Sequence, residues 1–392
     1  MNASAFTGGR RLMVGATGVG VVTLALTAAG AFLDPRRALY AYLTAFTYWV
    51  GIAVGALILL MAFHAARARW MVLVRRVMET IPLTTALFLV LFVPIAVGLG
   101  KIYPWVDPHG LPEEVKHLWE HRHAWLNVPF FLVRAAVYFG VWILVSHLLH
   151  RWSVRQDASG DAALTAKQQR LGAGALPLIA LTVTFAAVDW QMSLEVNLAS
   201  TIFGVYFFAG GFVAAVAVII LAVVAADGDG VFGGSLNAHH LHSLGKFLLA
   251  FTAFWAYIAL SQYLLIWVAN LPEEVPFYIV RNGAGWQAVG IFLALFQFVV
   301  PFFILLGRDL KRRPRPLAFM AVWILLAHYV DVYWLIMPRL HPQGPRPHWT
   351  DLTAWIGVGA LAVAFGVWRL RRSAPVPLRD PYLQDSLRYE PQ

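Results

Sequence analysis

The stretch Phe185–Gly211, FAAVDWQMSLEVNLASTIFGVYFFAGG, decides how the rest of the chain is read. One apolar run ends in Asp189 and Trp190, a short polar hinge follows, and a second apolar run starts near Ser200. A carboxylate at the mouth of a membrane helix is costly, so it carries a partner or a task. The hinge also joins two halves of the chain that look alike.

Composition supports a lipid setting on both sides of this hinge. Hydrophobic residues make up 60% of the 392 residues and charged residues 13%, where a soluble domain carries about a quarter charged. The net charge of +10 does not point to nucleic acid, because Lys and Arg sit in short clusters between apolar runs. The chain has no cysteine, which removes thiolate zinc sites, iron–sulfur ligation and covalent c-type haem attachment.

Ten apolar runs approach the length needed to cross a hydrocarbon core of roughly 30 Å. They fall at about 12–32, 38–64, 77–100, 127–149, 173–190, 199–225, 246–270, 284–306, 317–337 and 351–369. The first, preceded by Arg10 and Arg11, imitates a signal peptide, but its full span length reads as a retained helix. Basic clusters such as Arg75–Arg76, Arg308–Arg315 and Arg369–Arg372 recur on one side of the alternation. That bias predicts a multi-pass membrane protein with both termini inside. The outer loops instead collect acids, histidines and prolines, as in 103–109 and 341–345, and read as interfacial loops or docking surfaces. Residues 373–392 are polar and Pro-rich, and read as a flexible cytoplasmic tail.

Spans 5 and 9 carry AAVDWQM and HYVDVYWLIMP, each with an Asp among aromatics toward the outer end. The expected fold is therefore an all-α polytopic membrane protein with two parallel four-helix bundles. These comprise spans 2–5 (38–190) and 6–9 (199–338), with spans 1 and 10 flanking.

The candidate chemistry lies in ionisable groups within the spans. His328 and Asp331 are three apart and share a helix face, as a proton relay, a quinone hydrogen-bonding site or a buried packing pair. Arg134 on span 4 matches the depth of Asp189 and is its first-choice partner, as a structural ion pair or a proton gate. Glu195 is the weaker alternative partner. Glu79 follows Arg75 and Arg76 near an inner helix end, as a proton entrance or a snorkelling pair. His64 and Lys246 lie at a similar level and could extend such a chain. The turn at Glu273 and Glu274 is an exit or docking point. Pro82 and Pro94 should kink span 3. His64 and His147, with Gly51, Gly55 and Gly140, are the sole candidates for a haem pair, and His239, His240 and His242 for a metal. Neither group is expected to bind.

Longer stretches carry a family resemblance. HSLGK (242–246) running into FTAFWAYIALSQYLLIWVANLPEE (252–274), with DWQMSL (189–194), STIFGVYFFAG (200–210) and VRNGAGW (280–286), resembles the F subunit of alternative complex III. FFLVRAAVYFGVW (130–142), VPFFILLGRDLKRRP (300–314) and HYVDVYWLIMP (328–338) extend it over about residues 40–340. That subunit belongs with NrfD-type (polysulfide-reductase) membrane proteins. The resemblance implies an integral subunit of a respiratory quinol:cytochrome c oxidoreductase, without redox centres of its own. It would anchor the complex and take part in proton movement. It implies an NrfD-type membrane subunit, and outer iron–sulfur and haem c subunits, as partners. No cofactor is expected on this chain, with quinone the one remaining candidate ligand. By position it carries over Asp189, Asp331, His328, Arg134, Lys246 and Glu273. The sequence departs from the family at Glu195–Leu198, where a Pro and an aromatic are usual, and at Gln297, where a His is expected. The alternatives are a quinone-binding anchor of another NrfD-type oxidoreductase, or a transporter or scaffold.

Overall fold

In a computed structural model, described for residues 6–107, 109, 113–283 and 285–390, the chain forms ten long apolar helices. Met1–Ala5, Pro108 of the outer loop, residues 110–112, Ala284, and Pro391 and Gln392 of the tail lie outside the described residues. The helices are α1 (Arg10–Leu33), α2 (Pro35–Ala65), α3 (Arg69–Val97), α4 (Val128–Ser159) and α5 (Ala163–Leu194). They continue as α6 (Phe203–Gly228), α7 (Ala238–Ala269), α8 (Trp286–Leu306), α9 (Pro314–Arg339) and α10 (Trp349–Leu370). No strand forms among the described residues. Helices satisfy their own backbone groups, which is what a bilayer interior demands. The chain is an all-α, multi-pass membrane protein. The face carrying both chain ends is called basal below, and the opposite face apical.

Helix α2 is the hub. It packs against α5 in its own bundle, against α6 of the second bundle, and against α10. A Cβ on Gly55 would stand 2.6 Å from the Gly211 carbonyl oxygen, and one on Gly211 would stand 2.7 Å from that of Gly51. The two bundles thus meet backbone to backbone. Lipid gives no hydrophobic drive to associate, so such close approach supplies van der Waals contact instead. Gly51 and Gly55 therefore serve the α2–α6 crossing, and nothing lies within 4 Å of a Cβ on Gly140. Helix α1 packs on α10 at the periphery and exposes most of its apolar surface.

The prolines break α3 as expected. A tight turn covers Pro82–Thr84, and a second break at Phe92 precedes Pro94. In α8 the segment Leu293–Val299 is π-helical and buries Gln297. Helix α7 starts at Ala238, eight residues before the expected boundary, because Asn237 and His240 form a reciprocal cap. His240 Nδ1 lies 2.8 Å from Asn237 Oδ1, so that histidine closes a helix end.

The C-terminal segment is not a loose tail. Asp380 is buried against Arg75 at 2.7 Å. Ser386 Oγ accepts the Leu73 N–H at 3.0 Å and donates to the Trp70 carbonyl at 2.6 Å. Tyr389 stacks on Trp70. Polar composition suggested a solvated segment, but these polar groups meet open donors and acceptors at the start of α3.

Candidate functional site

Asp189, in the last turns of α5, is fully buried. Arg134 of α4 reaches it through two parallel bonds, Nε to Oδ2 and Nη2 to Oδ1, each 2.8 Å. The Tyr138 hydroxyl donates to Oδ2 at 2.8 Å and the Trp125 indole to Oδ1 at 3.0 Å. Arg134 also donates to the Trp125 carbonyl and lies over the Trp125 and Phe130 rings. Four donors, two of them on one bidentate guanidinium, fix the carboxylate in place. The Asp189–Arg134 pairing read from helix depth is thus present. Glu195, the alternative partner, instead lies 3.7 Å from Arg339.

Asp331, in α9, is equally buried but held differently. Tyr206 of α6 donates to Oδ1 at 2.6 Å, and the Trp255 indole of α7 to Oδ2 at 3.1 Å. His328 Nδ1 stands 3.4 Å from Oδ2, yet makes no aligned hydrogen bond there. Among the described residues no Arg or Lys forms an ion pair with Asp331. A Cβ on Gly210 would lie 2.6 Å from His328 Cε1, so the glycine makes room for the ring. A small cavity of about 10 Å³ opens beside the pair, lined by Thr47, Gln191, Tyr206, His328 and Asp331. That is the space of a single water, and it sits where the two bundles meet.

The second bundle does contain a buried arginine, placed elsewhere. Arg281, in the short helix Val275–Arg281, donates to the α9 carbonyls of Trp334 at 3.2 Å and Leu335 at 2.7 Å. A third bond reaches the Phe277 carbonyl at 2.8 Å. Burial brings its guanidinium down to about 10, still protonated at neutral pH.

A third group lies toward the basal face. Glu79 meets Arg75 at 3.2 Å, Arg76 at 3.3 Å and His150 of α4 at 3.1 Å. Arg75 continues to Asp380, and Arg76 to Asp157 at 2.7 Å. Two guanidinium groups therefore face three carboxylates, with the His150 imidazole beside Glu79. Glu79 is almost fully buried, so it is not a snorkelling pair at the helix end. His64 lies within electrostatic range of Arg75 and Glu79, with a buried Nε2 that has no partner among the described residues.

Two expected members fall outside these groups. Lys246 is exposed at the basal face, because α7 begins two turns earlier and Gly245 there packs against Lys311. Glu273 is exposed on the apical side, within electrostatic range of Arg122. Sequence reasoning missed Tyr138, Trp125, Tyr206, Trp255, His150, Asp157 and Asp380. Tyr138 had a signal, being one helical turn from Arg134, whereas the others are pairings across helices. Between the apical and basal groups α2 presents Val54, Leu57, Leu60 and Met61, all buried and apolar.

No protein-family model matches the chain, and no curated protein matches it either.

Proposed function

We propose that the chain is an integral subunit of a respiratory quinol:cytochrome c oxidoreductase of the alternative complex III type, in a bacterial inner membrane. In this reading it carries no redox centre. It anchors neighbouring membrane, iron–sulfur and haem c subunits, and it moves protons through its second bundle. The family part of the proposal rests on the sequence resemblance. The proton part rests on one observation: Asp331 sits beside a water-sized cavity and a histidine, with no Arg or Lys in ion-pair contact among the described residues.

A carboxylate held by neutral donors changes its protonation more readily than one clamped by arginine. His328 is of the residue type that titrates near neutral pH. The basal cluster, where His150 meets Glu79, would serve as the opposite port. The apolar stretch of α2 between them would prevent leakage, so transfer would require transient hydration or helix movement driven by the partner subunits.

The test is a pair of variants in the purified complex. Asp331→Asn should assemble normally and lose most proton release coupled to quinol oxidation. Asp189→Asn should reduce the amount of assembled complex, because Arg134 loses its charge partner. Normal proton release in Asp331→Asn would reduce that site to packing and favour a scaffold. A stable, lone protein that moves a solute would favour a transporter.

A further inference from the structure

A second cavity, of about 360 Å³, lies apart from all three charge groups, in the basal half of the spans. This is within the roughly 300–1,000 Å³ of ligand pockets. Its wall comes from α1, α2, α3, α6 and α10, with Leu12, Val77, Val218, Leu221, Val363 and Val367 typical of it. The few polar groups in the wall are already engaged. Thr80 and Thr84 donate to carbonyls within their own turns, at 2.8 and 2.6 Å, and the Trp49 indole donates to the Trp355 carbonyl at 2.9 Å. Among the described residues these side chains leave no free donor in the wall to hold a polar ring, so it suits a hydrocarbon chain.

The basal mouth has the opposite character. Phe6, Gly9 and Leu370 line that end, and Phe6 N donates to the Ser373 carbonyl at 3.2 Å, which ties the two chain ends together. Arg10 and Arg11 follow Gly9 directly, while Arg369, Arg371 and Arg372 flank Leu370. Arg369 and Arg371 each bury an Nε with no hydrogen-bond partner among the described residues. Arg372 lies over the Trp368 ring. One carboxylate, Asp229, lines the same cavity, while five arginines lie within two residues along the chain of its basal lining residues Gly9 and Leu370. Arginine forks match phosphate geometry, and basic pockets between spans hold anionic lipid headgroups.

We propose that this cavity is a structural site for an anionic glycerophospholipid. One acyl chain fills the space between α1, α3, α6 and α10, and the phosphate rests on the arginines at the ends of α1 and α10. The lipid would join the peripheral α1–α10 pair to the two bundles.

The experiment uses the full chain, purified in mild detergent from its own membrane and washed. Native mass spectrometry and lipid extraction then identify what remains bound. Wild type should retain a phospholipid, and after stripping should recover phosphatidylglycerol from vesicles in preference to phosphatidylcholine. Arg369→Gln with Arg371→Gln should weaken retention by roughly fivefold per arginine. The matching Lys replacements should largely keep it, which separates lost charge from lost folding. Ala222→Phe, which fills the cavity, should expel the lipid with every arginine in place. Equal uptake of phosphatidylcholine, a retained prenylquinone instead of a phospholipid, or full retention in both Gln and Phe variants would each overturn the proposal.

Discussion

Each bundle buries an aspartate toward the apical end of a helix, and the two are held in opposite ways. In the first, the nearby arginine grips the carboxylate itself, through both oxygens. In the second, the arginine grips the backbone at the end of α9, three and four residues beyond Asp331. The cation therefore caps a helix, satisfying carbonyls that a helix end leaves open and favouring its negative pole. Asp331 is left with a phenol, an indole and an unaligned imidazole. The counterpart of α4 in the second bundle is α8, whose π-helical stretch carries Gln297 and no cation. One carboxylate is thus held by a guanidinium and the other by neutral groups.

The comparison breaks first at Arg134. Arg134→Met leaves Asp189 buried with two neutral donors, and removing one partner of such a pair costs about 3–5 kcal/mol. The expected result is little folded protein, read as yield of monodisperse material and as the denaturation midpoint. A nearly wild-type yield would mean that Asp189 accepts a proton easily, and that the two sites are alike.

Arg281→Met ranks next. It removes three charge-assisted bonds to carbonyls, but leaves no carboxylate unpaired. A loss of about 2 kcal/mol is expected, with α9 fraying at its apical end in hydrogen exchange. A loss equal to that of Arg134→Met would show that the arginine supports Asp331 electrostatically, beyond its helix-capping contacts.

These contrasts show which parts of the molecule can be read from residues in order. The ten spans were legible because length and apolarity act locally. Arg134 and Asp189 were matched because each is a lone charge at the same depth on adjacent helices. Asp331 and His328 were legible as a helical-turn pair. Their differing surroundings were not, because Tyr206 and Trp255 arrive from helices distant in sequence. The crossing of α2 on α6 depends on Gly51, Gly55 and Gly211 meeting, and a glycine in an apolar run does not announce its partner. Lys246 was misplaced for a simpler reason: it lies near a span boundary, where one or two turns decide between a buried chain of groups and the surface. The docked C-terminal segment was hidden by its composition, since Asp380 and Ser386 look solvated until Arg75 and the start of α3 are beside them.

A smaller effect is expected from Tyr206→Phe, which removes the shortest bond to Asp331. One hydrogen bond to a charged acceptor amounts to about 1.5–3 kcal/mol, and the adjoining cavity admits a water that can replace part of it. A net loss of about 1 kcal/mol follows, measured by denaturation in detergent. In the equivalent change in the first bundle, Tyr138→Phe, Asp189 keeps three further bonds. If Tyr206→Phe proved as damaging as Arg134→Met, the second carboxylate would be as locked as the first.

The smallest effect on stability should come from His328→Gln, and it is the sharpest test of the comparison. The imidazole sits 3.4 Å from Asp331 without an aligned bond, and its ring packs against Tyr48 at 5.2 Å between centroids. Gln retains a polar group of similar reach and loses no hydrogen bond that the wild type makes. The change should therefore cost less than about 1 kcal/mol, the range of substitutions that break no buried network. Its consequence should appear elsewhere. If His328 supplies the titrating neighbour of Asp331, proton-linked turnover should fall and lose its dependence on pH near neutrality. The full protein would be reconstituted with its partners, and turnover compared between pH 6 and pH 8. A large loss of stability with an unchanged pH profile would make His328 a strut, and the second carboxylate a packing element like the first. An unchanged stability with a flattened profile would leave the division of labour between the bundles standing.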